Sequence, residues 1–525
     1  MRVGVDVGGT NTDAVTMSGS TVVSAAKSPT TADVTSGIVK SLSILIDEGS
    51  LDPNAVTDVM IGTTHFTNAV VEGKNLVPTA AVRLGLPATT SMPPFIDWPP
   101  SLRSSLGKHV YLCHGGHEFD GRLISPLDPN ELRQAAADIA SKGIRSVALS
   151  SVFSPVNEDL EQEARLILLE EVDDLDISLS REIGRLGLLE RENATIMNAC
   201  LRPLAIRTVD GFQAALDKLK ISCPVHVSQN DGTLMSADFA RRYPVATFAS
   251  GPTNSMRGAA FLSGVSDGVV VDIGGTTTDI GVLTNGFPRE ASSAVEIGGV
   301  RTNFRMPDVI SSALGGGSLI REKGTDLTIG PDSTGYELNT RALVFGGSEL
   351  TATDIAVAHG QAHIGDASLV AHLNPELVLA AIDQMQRSLA ETIEQMKTSA
   401  GPVPVVIVGG GGVLVGDDLD GASDIIRPDH YAVANAVGAA TAQAGAETDQ
   451  IYSLAAIGRE AALEEARQIT SDRAVAAGAD PQTVEVVDVE EIPLAYLPSN
   501  AVRIRIKAVG DLRSDSSKKE IVHDR

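Results

Sequence analysis

Short apolar runs broken by glycine turns open the chain. Val3, Val5 and Val7 flank Gly4 and Asp6, Gly8-Gly9 interrupts the run, and a second stretch leads to the turn Ser18-Gly19-Ser20. This pattern predicts two strands, a turn and a third strand over Thr21–Ala26. Val34, Ile38, Leu42, Leu45 and Ile46 recur at helical spacing, so a helix is expected over 32–48, before a strand at Val56–Ile61 that runs into Gly62-Thr63-Thr64-His65. Residues 85–105, rich in Pro and Ser and holding Trp98, follow no period and read as an irregular connection. Asp128 as N-cap, Pro129 in the first turn and Glu131 three residues on mark a helix over 128–142. Strands at Ser146–Val152 and 176–180 flank an acidic helix over 157–171. A long helix over 190–218 carries Pro203, and Val225–Ser228 turns at Asn230-Asp231-Gly232.

The pattern then restarts. Val269–Ile273 runs into Gly274-Gly275, and Thr278–Leu283 returns. Three glycines stand at 315–317, helices are expected at Ala352–Gly360 and 375–397, and strand Pro404–Val408 ends in Gly409–Gly412. A small helix over 431–445 overlaps an Ala/Gly/Glu-rich stretch near 440–449, which suggests a boundary. Beyond it lie a helix over 459–477 and strands at Val484–Val489 and Ala501–Ala508. Alternating strands and helices with glycine-rich turns imply an α/β fold. The expected divisions are 1–185, 186–445 and a small α+β section over 446–525.

Composition narrows the function. A chain of 525 residues exceeds one core and implies two to four domains. With 67 acidic against 41 basic residues the net charge is −26, and Lys518-Lys519 is too short a basic run to count, so nucleic-acid binding is excluded as an expectation. Cys113, Cys200 and Cys223 form no CxxC pair, which suits a reducing compartment. No apolar run nears the roughly 20 residues that span a bilayer, and Met1 leads straight into a strand, so a cytoplasmic protein is expected, without membrane contact and as a homo-oligomer.

The most informative feature is an internal repeat. Val5–Asp13 reads V-D-V-G-G-T-N-T-D and Val271–Asp279 reads V-D-I-G-G-T-T-T-D, identical at seven of nine positions. Paired glycines let backbone N–H groups approach a phosphate, and threonine hydroxyls donate to its oxygens. Gly8, Gly9, Thr10, Asn11 and Thr12, with Gly274, Gly275, Thr276 and Thr277, are therefore candidates to bind the phosphates of ATP. Asp6 and Asp272, at strand ends, suit Mg²⁺ held through water, and Asp13 and Asp279 suit the steering of metal or water. A tight hairpin alone would explain one such loop; two in corresponding places favour function. A Walker loop is absent, and a dinucleotide fingerprint fits poorly because the chain returns as a strand.

The pair of loops resembles the superfamily of sugar kinases, actin and heat-shock ATPases. That resemblance implies a two-lobed actin-like fold with duplicated mixed-sheet domains, and adenosine contacts from Gly410, Gly411 and Asn435. Gly62-Thr63-Thr64 with Thr67-Asn68-Ala69, Val152–Asn157, Glu190–Asn193, Ser228–Gly232, Ser250-Gly251-Pro252, Gly315–Ser318 and Asn435–Ala439 together resemble the hydantoinase and oxoprolinase A-type subunits over about residues 1–440. The resemblance implies ATP-dependent opening of a small cyclic amide such as a hydantoin or oxoproline, often with a B-type partner subunit. It also implies substrate contacts from Thr63, Thr64 and Asn68, and nucleotide contacts from Gly315, Gly316 and Gly317. Relatives serving ketone carboxylases keep that chemistry open, as does a nucleotide-gated protein without turnover. This sequence departs from the family in its short tail after 450, and in Asp159 and Ser311 where a histidine-bearing pattern is common.

Other polar residues read more plainly. His65 beside Thr64 could act as a base or metal ligand, although a lone histidine is more often structural. His109, His114 and His117 around Cys113 lack a second ligand pair and are expected on a surface loop. Glu190-Arg191-Glu192 suits either a cleft border or a solvated helix face.

Overall fold

The computed structural model describes residues 1–30, 34–291, 295–323, 326–495 and 500–513. Lys518-Lys519 and the first residues of the helix expected over 32–48 lie outside the described residues; the rest of that helix is Val34–Asp47.

Two mixed sheets share one core arrangement. In the first lobe, Arg2–Val7 pairs antiparallel with Asn11–Ser18, which pairs antiparallel with Thr21–Pro29. On its other side Arg2–Val7 lies parallel to Asp58–Thr63, itself parallel to Val225–Ser228. In the second lobe, Gly268–Ile273 pairs antiparallel with Thr278–Thr284 and lies parallel to Val403–Val408, itself parallel to Ala422–Ile426. The repeat in sequence is thus a repeat in topology. Both first strands are apolar because packing covers both of their faces. Val3, Val5 and Val7 meet Ile38, Leu42 and Phe212, and Val269, Val271 and Ile273 meet Ile355, Met385 and Leu389.

Between Asp58–Thr63 and Val225–Ser228 the chain builds a separate parallel sheet, in the order His109–His114, Thr79–Leu86, Ser146–Ser151, Asp176–Leu179. Alternation along its strands serves two faces. Val82, Leu84 and Val147 meet helices Pro129–Ser141 and Asp159–Glu171, whereas Ala81 and Ala148 meet the long helix Leu188–Lys218. Of the His/Cys cluster expected on a surface loop, His109, Cys113 and His114 belong to the edge strand of this sheet, with Cys113 buried in its core, and His117 is buried just beyond it. The 85–105 connection is also partly regular. It contains helix Pro100–Leu106, whose Leu102 and Leu106 join Trp98 in the core against the long helix, so tertiary packing rather than local period orders it.

The C-terminal section extends the first lobe. Ala444–Ser453 pairs along its length with Ala501–Gly510, which pairs with Glu485–Pro493, and it joins the sheet beside Leu234–Ser236 to make nine strands. The stretch near 440–449 is therefore largely strand, and the helix expected to reach 445 ends at Thr441. Small residues there reflect crowding: a Cβ on Gly445 would lie 2.6 Å from Thr233 Cγ2. Helix Arg459–Ala477 covers these strands through Ala462, Leu463 and Ala466. No helix among the described residues is long and apolar enough to cross a membrane.

Helices Ser250–Ser263 and Ala434–Thr441 cross at backbone contact. A Cβ on Gly258 would lie 1.9 Å from Ala434 O, and one on Gly438 1.9 Å from Asn254 O. The first helix leads into the second lobe and also packs on Asp58–Thr63; the second packs on Arg2–Val7. This crossing joins the lobes behind the two loops.

Candidate functional site

Strand register sets Asp6 opposite Asp13 and Asp272 opposite Asp279, so each hairpin carries two carboxylates side by side at its looped end. Both loops close with the same turn. The Gly8 N–H donates to Asn11 O at 3.0 Å, and the Gly274 N–H to Thr277 O at 2.9 Å. The loops face each other, since a Cβ on Gly275 would lie 3.3 Å from Thr10 Cγ2. Gly9 and Thr277 are exposed, whereas Gly8, Thr10, Asn11, Gly274, Gly275 and Thr276 are partly exposed. Thr12 is different: it is fully buried, with its hydroxyl 3.4 Å from Thr30 Oγ1. Thr30 in turn braces the loop, donating through Oγ1 to Gly8 O at 2.8 Å and through N–H to Thr10 O at 3.0 Å.

The cleft between the loops is electrostatically tense. Burial, and then the charge of Asp13, push the Asp6 carboxyl up to about 7 against a hydrogen bond from Asn435. Burial and Asp279 push Asp272 up to about 6, and burial also raises Asp13 and Asp279. Lys27 lies across the ladder from Asp13, with Nζ 3.0 Å from Asp13 Oδ2, and its charge reaches Asp6 and Asp272. Asp6 Oδ1, Asp13 Oδ1 and both polar atoms of the fully buried Asn254 have no hydrogen-bond partner. Unsatisfied oxygens in an acidic cleft suit a hard divalent cation with its waters. Among the described residues no three His, Cys, Asp or Glu groups converge into a protein-only metal cage. The donor set therefore fits Mg²⁺, and Asp6 and Asp272 are the carboxylates that would hold it.

The glycine segments divide. The Gly316 N–H donates to Gly274 O at 3.0 Å, the Gly317 N–H to Gly275 O at 2.7 Å, and the Gly315 N–H to Ser318 Oγ at 2.9 Å. The Gly316 and Gly317 N–H groups, expected to wrap a ligand, instead shore up the second loop from behind, and that of Gly315 is taken within its own segment. Gly410 is exposed, and a Cβ there would meet only Lys27 Nζ, at 3.8 Å. The Gly411 N–H bonds Ile273 O at 2.7 Å, tying the segment to the second loop. Asn435 Nδ2 lies 3.5 Å from Asp6 Oδ2, so it borders the carboxylates.

Thr63 is buried, and its Oγ1 accepts the His65 N–H at 3.2 Å, so it shapes the turn rather than lining a pocket. Thr64 and Asn68 do line one. A cavity of about 340 Å³ brings them together with His65, Gly8, Gly9 and Thr30. Thr64 is the N-cap residue of helix His65–Glu72, though its side chain makes no cap hydrogen bond. The Glu190–Glu192 segment splits: Glu192 pairs with Arg83 in the core, and Arg191 is buried against Ser180 and Ser151 O.

Sequence reasoning missed Lys27, Thr30 and Asn254. The Asp13↔Lys27 pairing was recoverable once three strands were read in register, whereas Asn254 emerges only from the helix crossing. It also missed a cavity of about 1010 Å³, lined by Arg185, Glu290, Arg305, Arg503, Arg505 and Lys507, for which the alternation Arg503-x-Arg505-x-Lys507 was the signal.

Residues 2–172 match the family model described as hydantoinase/oxoprolinase N-terminal region, and residues 191–366 match that described as hydantoinase/oxoprolinase. The chain is 27% identical over 421 residues to caprolactamase subunit alpha of Pseudomonas jessenii, covering 75% of this chain and 59% of that protein. It is 24% identical over 425 residues to acetone carboxylase beta subunit of Xanthobacter autotrophicus, covering 73% and 56%. The crystal structure of the ATP-dependent caprolactamase of Pseudomonas jessenii aligns with a TM-score of 0.77 at 18% identity, over 98% of this chain and 88% of that one, and shows the shared fold. That fold is the two-lobed, actin-like α/β architecture expected from the duplicated loops. The chain spans about three-fifths of the length of the curated relatives it matches.

Proposed function

Because this chain belongs to the hydantoinase/oxoprolinase family, we propose that it uses ATP to phosphorylate the carbonyl oxygen of a small cyclic amide, and so opens the ring. The observation that carries this is the 340 Å³ cavity, which sets Thr64, His65 and Asn68 directly beside Gly8 and Gly9 of the first loop. An acceptor there lies next to the phosphates the loop would hold. An unstrained lactam resists water, and phosphate on its oxygen supplies the leaving group. The protein's burden is then positioning and charge stabilisation.

In this scheme the Gly8–Asn11 and Gly274–Thr277 turns take the phosphates, Asn435 stands beside Asp6 at that end, and the segment Gly410-Gly411 takes the nucleoside end. Asp6 and Asp272 would hold Mg²⁺, with Asp13 and Asp279 beside them to steer its water. The cation would supply charge neutralisation on the phosphates. Lys27 is released from Asp13 when anionic phosphate enters.

A second reading, phosphorylation of a ketone before carboxylation, is supported by the match to an acetone carboxylase beta subunit across 73% of the chain. The names of both relatives mark them as subunits, which supports a B-type partner for this chain. The test is ADP release by the full chain, with and without such a partner, offered caprolactam, 5-oxoproline or a hydantoin, and separately acetone with bicarbonate. Stimulation by a lactam alone supports the first reading. Stimulation only by ketone and bicarbonate replaces it with the second, and tight ATP binding without turnover on any acceptor refutes both.

A further inference from the structure

We propose that His65 is the base that removes the acceptor's proton as its carbonyl oxygen attacks the γ-phosphorus. This rests on the phosphorylation step above and holds for either acceptor class. Lactams and ketones share one feature: a carbonyl with an ionisable hydrogen on the neighbouring atom, N–H in one and C–H in the other. A neutral carbonyl oxygen is a poor nucleophile, and losing that hydrogen turns it into one. In the balanced step the oxygen forms its bond to phosphorus as the bond from phosphorus to ADP breaks. The N–H or C–H electron pair becomes a C=N or C=C bond, and the proton passes to an imidazole nitrogen. The products are an O-phosphorylated imidate or enol, ADP and imidazolium.

The geometry singles out this residue. His65, Asn68, Ala69 and Glu72 occupy one face of helix His65–Glu72, and that face lines the cavity shared with Gly8 and Gly9. Among the described residues the imidazole makes no hydrogen bond, and its only ring contact is edgewise with Phe66 at 6.1 Å between centroids. Half-burial and Arg207 of the long helix hold it below the ordinary 6.5, against Glu72, so it is neutral and able to accept at neutral pH. Glu72 is the other basic group in the cavity, but it is exposed at the rim and tied to Lys74 at 3.0 Å. Thr64 and Asn68 beside the ring can hold the carbonyl by hydrogen bonds while it is deprotonated.

The test measures acceptor-dependent ADP release by His65→Gln, His65→Asn and His65→Gly at saturating Mg²⁺ and ATP. A positioned base contributes about 10²–10⁴-fold, so kcat falls by that factor in the Gln and Asn variants and the acid limb of the wild-type pH profile disappears. Free imidazole restores turnover to the Gly variant in proportion to its unprotonated fraction, which a structural role would not produce. If His65→Gln keeps kcat within about threefold with an unchanged profile, the proposal is overturned while the phosphorylation reading stands. If the wild type responds to no lactam and no ketone, both fall together.

Discussion

The carboxylate of Asp6 is predicted to cost the empty protein stability, and Asp6→Asn should reveal how much. Its pKa lies near 7 in the fold against an unfolded value of 3.8. A raised folded value means stability is fully present below about pH 4, is lost as the unfolded chain ionises while the native carboxyl keeps its proton, and stops falling above about pH 7. At about 1.36 kcal/mol per unit, the full loss is roughly 4 kcal/mol. Asparagine cannot ionise, so the variant's advantage over wild type should grow by about 3–4 kcal/mol between pH 4 and pH 8. For a lobe of roughly 250 residues, at about 2 °C per kcal/mol, that is a relative melting shift of about 6–8 °C. The assay is thermal unfolding in EDTA without nucleotide, at several pH values between 4 and 8. The same variant should lose ATP turnover, because it removes a carboxylate proposed to hold Mg²⁺ through water. A stability difference that is flat with pH would refute the argument that buried, crowded carboxylates await a cation.

Three further outcomes follow from the same cleft and the helix crossing behind it. Lys27→Met should weaken ATP binding at least about tenfold by calorimetry and raise the apparent pKa of Mg²⁺-dependent binding, since the cation that favours the ionised Asp13, Asp6 and Asp272 is gone. Wild-type affinity for Mg²⁺–ATP should rise from pH 5.5 to 8, as Asp6 and Asp272 ionise through about 7 and about 6; constant affinity across that range would mean neither carboxylate engages the metal. Gly258→Ala places a methyl 1.9 Å from Ala434 O. It should destabilise the chain by about 1–3 kcal/mol or more in a denaturant titration, whereas Gly9→Ala, with nothing within 4 Å, should leave stability within about 0.5 kcal/mol.

The sequence made the loops legible because their chemistry is local. Asp6-Val7-Gly8-Gly9 and Asp272-Ile273-Gly274-Gly275 each fit within one hairpin, and repetition raised the signal above chance. The long helices were legible for the same reason: Leu42, Leu45, Leu389 and Ile393 repeat at one period regardless of partners. What was hidden depends on partners. Thr79–Leu86 serves two cores at once, so its apolar positions do not alternate with polar ones. Gly315–Gly317 looked like a ligand cradle, and only the tertiary contacts show the N–H groups of Gly316 and Gly317 bonded to the carbonyls of Gly274 and Gly275. The reverse holds for Thr63, whose polar side chain promised a pocket contact but is consumed by the turn it stabilises. Asn254 carries no local signal at all, because the helix crossing alone brings it under Asp6.

The nine-stranded sheet has a consequence for biogenesis. The ribosome delivers Arg2–Val7 well before the second lobe, yet the strands that extend its sheet past Leu234–Ser236 emerge only after that whole lobe has been made. Until Ala444–Ser453 arrives, the nascent first lobe holds an unpaired sheet edge and leaves Leu234, Val15 and Met17 without the Ala474, Ala508 and Leu512 that complete their core. Such an exposed edge is a template for wrong pairing. A chain cut short between 441 and 510 should therefore be insoluble while keeping every loop proposed to hold ATP, and its rescue in the cell should depend on chaperones that shield a growing polypeptide.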